Sequence, residues 1–180
     1  MSCCNAKSNN ETMRDILDRR SHRAYTAKPL TQQQLDTVLE AALQAPTARN
    51  LQSCQVIGVT DPTFLREINE EVAKALGRDD FSFSYNAPAF FFVLGDKSNR
   101  WSEVDGGIVV ENMALAAQSL GLGSCIIGMI RDFMNTDRGA RWMDRIGAAP
   151  NHKFVIGLSV GNPVDQPDAK PRDASRVKML

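Results

Sequence analysis

The sequence lacks the residues and motifs that most enzymes use for side-chain catalysis. It has only two histidines, His22 and His152. It contains no G-x-S-x-G elbow, no H-E-x-x-H pair and no G-x-x-x-x-G-K-[ST] loop. Gly121, Gly123 and Gly128 do not fit G-x-G-x-x-G, and they follow a helical pattern instead of a strand, so a doubly wound dinucleotide fold is a poor fit. Charge of one sign is also missing: 21 basic and 21 acidic residues give a formal net charge of zero. That argues against general nucleic-acid binding, which needs a large basic surplus. The longest apolar runs, near Ala87–Leu94 and Cys125–Ile130, are far too short to span a membrane. The first residues lack the apolar core of a secretory signal. Cys3, Cys4, Cys54 and Cys125 are too few for a disulfide scaffold and lack the C-x-x-C spacing of a zinc site. The expectation is a cytoplasmic chain without a metal centre or a membrane or nucleic-acid partner. If it is an enzyme, a cofactor carries the hard chemistry.

What is present suits one domain. A chain of 180 residues with 43% hydrophobic residues can bury one real core. Residues 1–10, MSCCNAKSNN, read as a polar disordered segment. Residues 11–163 form the domain. Residues 164–180 are polar and Pro-rich and cannot pack on themselves. A first helix is predicted at about Glu11–Asp18. A second opens on a capping box, Thr31 with Gln34, and buries Leu35, Val38, Leu39, Ala42 and Leu43. Strands are predicted at about 55–60, 89–94, 125–130 and 153–160. Helices are predicted from Pro62, over 102–120 and, more weakly, over 135–146. Gly121 and Gly123 read as the stop of the long helix. This order predicts a sheet sandwiched between helices.

Three stretches carry chemistry. Arg19-Arg20-Ser21-His22-Arg23 places three guanidiniums and a hydroxyl within five residues. Such a set suits a phosphate, because Arg offers paired planar donors. On spacing alone the charged, solvated end of a helix is the favoured reading, because short basic runs are common. Ala45-Pro46-Thr47-Ala48-Arg49-Asn50-Leu51-Gln52 is a polar turn whose Asn50 and Gln52 amides suit the edge of a heterocycle. The run from Asp105 to Gly128 ends in glycines that let backbone approach a ligand closely.

Together, in this order, these stretches resemble the nitroreductase family of FMN flavoproteins. R-R-S-x-R-x-Y resembles its phosphate motif, and A-P-T-A-R-N-L-Q its A-P-S-x-x-N-x-Q segment. D-G-G-I-V-V-E-N-M-A-L-A-A-Q-S-L-G-L-G-S resembles its central helix and glycine turn. Gly161-Asn162-Pro163 resembles the end of its last strand, and Lys170-Pro171-Arg172 its tail element. The resemblance runs from about Met13 to the end. It implies an α+β fold, a three-layer α-β-α sandwich with a central mixed sheet. It implies a homodimer with two shared sites, the tail after Pro163 wrapping the partner. Arg19, Ser21 and Arg172 would hold the FMN phosphate, with Arg20 beside the ribityl chain and Arg23 near the pyrimidine. Pro46, Thr47, Asn50 and Gln52 belong to the second segment of the site; Pro46, Thr47 and Asn50 would come from the other subunit. Cys125, Ile126, Ile127 and Gly128 would pass beside the ring. The implied reaction is ping-pong hydride transfer from NAD(P)H, through flavin N5, to a nitroaromatic, quinone or similar acceptor. Alternatives are another flavin reaction on the same fold, or a non-catalytic flavin-binding redox sensor using Cys3 and Cys4. The sequence departs from the family at Ser53-Cys54, where many members have Pro-Trp. It departs again at Phe81–Asn86, where Asn86 stands in for a residue facing the pyrimidine, and at Cys125, where some have Pro.

Overall fold

The computed structural model describes residues 10–79 and 81–180. Cys3, Cys4 and the rest of residues 1–9 lie outside the described residues, as does Asp80.

Local sequence sets the elements. Helix α1 (Glu11–Asp18) starts at Asn10, whose side chain accepts from Met13 N. Helix α2 (Gln32–Leu43) opens on the expected capping box. Gln34 N donates to Thr31 Oγ1 at 3.2 Å, and Thr31 N donates to Gln34 Oε1 at 2.9 Å. Replacing Thr31 with alanine removes that reciprocal pair and is expected to cost about 1 kcal/mol in a urea titration. Strand β1 (Cys54–Val59) is followed by α3 (Pro62–Leu76), which has Asp61 as its cap and ends on left-handed Gly77. Strand β2 (Ala89–Asp96) leads to α4 (Ser102–Ser119), then β3 (Gly123–Ile127). Two short helices, α5 (Arg131–Met134) and α6 (Asp137–Arg145), precede β4 (His152–Gly161).

The four strands form one antiparallel sheet in the order β1-β2-β4-β3. A parallel bridge joins Ser21 to Ser124 at the β3 edge. Strand β2 is central and covered on both faces, which is why its side chains form an unbroken apolar run. Phe90, Phe92 and Phe154 point to one core with α3, α5 and α6. Phe91, Val93 and Leu158 point to the other, under α2 and α4. The fold is thus α+β in three layers. On the first face, Phe83, Phe90, Phe92 and Phe154 stack edge to face, with centroids 4.8–6.1 Å apart.

Two boundaries differ from the sequence reading. The strand expected at 125–130 begins at Gly123 and ends at Ile127. The chain then turns, and Ile130 enters the core from the residue that caps α5. A buried apolar run cannot by itself distinguish a strand from the entry to a helix. The helix expected at 135–146 is found as α6, started by Thr136 accepting from Gly139 N at 3.3 Å, while the short α5 ahead of it was not expected.

Candidate functional site

The Arg19–Arg23 segment leaves α1 and runs along the open edge of β3. His22 N donates to Ser124 O at 2.9 Å. On its other side the segment is laced to the chain after β4. Thr26 N donates to Asn162 O at 2.9 Å, Val164 N donates to Ala24 O at 3.0 Å, and Tyr25 bridges Pro163. The arm therefore lies in a slot between β3 and the root of the C-terminal extension.

Its three arginines do different work. Arg20 Nη1 donates to the carbonyls of Leu17 at 2.7 Å and Arg19 at 2.8 Å, so it closes the end of α1. Arg19 Nε faces Glu111 Oε1 of α4 at 3.2 Å. Arg23 is exposed and donates to Ser21 O at 3.2 Å, with its guanidinium 5.9 Å from the centre of the Tyr85 ring. Hydrogen bonding to Tyr85, then the proximity of Cys125, raises Arg23 above its ordinary value. Cys125 is buried beside this cluster. Burial raises its thiol, while Arg23 and Arg19 pull the other way without overcoming it. It is a neutral thiol at neutral pH, which makes it a packing residue and not a nucleophile.

Strand β3 is an edge strand, and its backbone matters here. Ser124 O faces outward to His22, so by strand alternation the N–H and C=O of Ile126 face the same open edge. Ile126 is half-buried, Ile127 is buried and Gly128 is exposed just beyond the strand. Gly121 takes the left-handed turn after α4, at φ 70°. Gly123 serves a different need: a Cβ there would sit 2.7 Å from Pro163 Cβ and 2.9 Å from His22 Cγ.

The Pro46–Gln52 turn lies elsewhere. It precedes β1, whose first residue, Cys54, pairs with Gly95, itself opposite Lys153 at the start of β4. The arm sits at the other end of β4, on the far edge of the sheet. The two segments occupy diagonal corners of the sheet, joined through α4, which meets the turn at Asp105 and the arm at Glu111. The turn is strained: Arg49, Asn50 and Gln52 all have φ between 49° and 56°. It is held by Gln52 N donating to Thr47 Oγ1 at 3.0 Å and Gln52 Nε2 donating to Asn50 Oδ1 at 3.0 Å. Ala48 N donates at 3.0 Å to Asp105 Oδ1, a buried carboxylate on α4.

One chain thus brings Arg19, Ser21, Arg23 and the Cys125–Gly128 segment to one edge, and sets Pro46, Thr47, Asn50 and Gln52 apart. Arg172 is exposed in the extension, before a short turn at Ala174–Arg176. The Phe81–Asn86 loop reaches the arm through Tyr85, and Tyr85 and Asn86 both have left-handed backbone. Sequence reasoning missed His22, Tyr85, Asp105, Glu111 and Asp165 as parts of these two corners. Only their distant partners reveal them, and no local pattern marks those. A cavity of about 690 Å³ between α5, α6 and β4 lies at the opposite end of the sheet from the arm. Its Lys97, Arg131 and Lys153 are matched by Asp132, Asp137 and Asp144, so it presents no net charge to an anion. Among the described residues there is no group of three or more His, Cys, Asp or Glu that could hold a metal, and no helix long and apolar enough to cross a membrane.

Comparison with known proteins gives a consistent picture. The model of the nitroreductase family matches residues 16–162. The chain is 30% identical to an FMN reductase (NADPH) of Bacillus subtilis, over 91% of this chain and 70% of that protein. It is 30% identical to an NADPH-flavin oxidoreductase of Vibrio harveyi, over 93% and 72%. A nitroreductase with bound FMN from Bacteroides fragilis superposes with a TM-score of 0.90 at 26% identity, over 96% of this chain and all of that one.

Proposed function

The chain belongs to the nitroreductase family, and on that premise we propose that it is an FMN-dependent oxidoreductase using NAD(P)H. The observation that carries the reading is the arm on the β3 edge, where two cationic side chains and a hydroxyl adjoin exposed strand backbone. The residues fit the cofactor. Arg19 and Ser21 offer phosphate donors, joined by Arg172 from the extension, while Arg20 braces the helix end that presents them. Arg23, fixed over Tyr85, supplies positive charge where a reduced flavin's pyrimidine gains negative charge. The outward backbone of the Ile126–Gly128 segment offers a donor toward the ring. Bound there, FMN would supply the hydride-accepting and hydride-donating centre. The protein's own work is to hold, orient and polarise.

The working unit of this reading is a homodimer. Pro46, Thr47 and Asn50 of one copy would complete the arm of the other, a reading supported by their placement at opposite corners of the sheet within one chain. Exposed apolar side chains support it. Met13, Ile16 and Leu17 of α1 are 43–53% exposed and Leu43 of α2 is 79% exposed, more apolar surface than a lone subunit gains by showing. The extension, whose Val177 is 84% exposed, would lie on the partner. Donor and acceptor would use the same open slot in turn, a ping-pong sequence ending on a nitroaromatic, quinone or similar small acceptor.

Anaerobic addition of NADH or NADPH to the FMN-loaded protein tests this. The yellow band should bleach, and a quinone or nitroaromatic should restore it. A protein that takes up no FMN, or whose band neither nucleotide bleaches, refutes the reading.

A further inference from the structure

Asp165 stands in an unexpected place. It is an acid at the root of the extension, against an arm whose proposed ligand is a phosphate. Both of its oxygens are committed. Oδ1 lies 2.8 Å from His22 Nδ1, and Oδ2 accepts the backbone N–H of Arg23 at 2.8 Å. These contacts grip two consecutive residues of the arm, immediately after Ser21. The rest of His22 is held as well. Its N–H binds Ser124 O at 2.9 Å, its carbonyl accepts from the Tyr25 hydroxyl at 2.7 Å, and its ring fills the space that Gly123 leaves open.

We propose that Asp165 is a positioning residue for cofactor retention: through His22 and the Arg23 backbone it fixes Ser21 and Arg19 in phosphate-binding geometry and ties the extension to that site. The inference rests on the flavin reading above. Two effects of the carboxylate oppose each other. Burial pushes its pKa up, but the Arg23 N–H and His22 outweigh burial and hold the group below the usual aspartate range, so it is charged at neutral pH. A nearby negative charge repels a phosphate, so if charge alone mattered, removing it would tighten FMN binding. Preorganisation predicts the opposite sign. An arm freed from Asp165 must be ordered by the ligand, which then binds more weakly. The effect should follow the phosphate: the grip positions Ser21 and Arg19 next to it in the arm, while the Arg23 guanidinium assigned to the pyrimidine is placed by Ser21 O and Tyr85 and not by Asp165. The link also runs backwards: displacing the extension should loosen FMN, and bound FMN should hold the extension.

The test compares FMN with riboflavin, which has the ring and ribityl chain but no phosphate, by quenching of flavin fluorescence on the apoprotein. For Asp165→Ala, FMN affinity should fall about tenfold or more, the scale of one lost charge-assisted contact, while riboflavin affinity stays within about twofold. Asp165→Asn keeps the shape and should lose less; it carries the test if the alanine variant does not fold. A merely structural defect would weaken both ligands alike and would overturn the proposal, as would FMN binding that is unchanged or tighter. If the wild-type protein binds neither flavin, it is the functional reading that fails, and not the clamp alone.

Discussion

Replacing Arg19 and Arg172 together with alanine should give a protein that folds but is purified without flavin. Each arginine would contribute a charge-assisted bond to the phosphate, of about 1.5 to 3 kcal/mol. At about 1.4 kcal/mol per factor of ten, losing both weakens FMN binding by about a hundredfold or more. The Arg19 change has a second consequence. Its guanidinium faces Glu111 at 3.2 Å, and without it that carboxylate is left facing the place meant for an anion. Arg19→Ala should therefore weaken binding more than Arg172→Ala, whose side chain is exposed. Arg19→Lys should recover part of the loss and not all, because a lysine keeps the charge but cannot offer two parallel donors. Arg20→Ala should behave differently. Its contacts are to the carbonyls at the end of α1, so it should lower thermal stability and change FMN affinity less. Fluorescence titration of the apoproteins with FMN, beside thermal denaturation, separates these outcomes. Equal effects of Arg19→Ala and Arg20→Ala on FMN would mean that the arm binds through its overall charge and not through the geometry described.

The contrast between Arg19 and Arg20 shows what the sequence could convey. Five residues with three arginines could be a helix end or a phosphate arm: Arg20 closes the helix end, and the flavin reading gives Arg19 the phosphate. Spacing along the chain could not divide them, because the division depends on Glu111, 92 positions from Arg19, and on where α1 ends. The sheet and its helices were legible because hydrophobic period is a local property. Strand β2 showed its burial as an unbroken apolar run, and α2 announced its start with Thr31 and Gln34. The ends of β3 and the short α5 were not legible, since Ile130 is equally buried as strand or as helix cap. Asp165 was least legible of all. An aspartate in a polar, Pro-rich tail looks like any solvated residue until the fold brings it 2.8 Å from His22, 143 positions away. Asp105 was hidden in the same way, as a buried acid whose purpose is to hold the backbone of Ala48.

The diagonal placement of arm and turn leads to the other large effect. If a site takes its arm from one subunit and its turn from the other, two inactive variants should restore each other. One carries Arg19→Ala with Ser21→Ala, both on the arm itself. The second carries Asn50→Val, which sets a β-branched residue at φ 53°, where asparagine is tolerated and valine is strained, and removes the amide that accepts from Gln52. Each homodimer has two damaged sites. In a mixed dimer the good arm of the second variant meets the good turn of the first, giving one intact site, while the other site carries both defects. Random assortment on co-expression makes about half of the dimers mixed, so about a quarter of the wild-type activity should return from two nearly silent parents. A site built within one subunit predicts no recovery at any mixing ratio, since each chain would keep its own defect. The assay needs an FMN concentration at which neither parent turns over, and tagged copies to isolate the mixed dimer. In that fraction, flavin content should approach one per dimer, half that of the wild type.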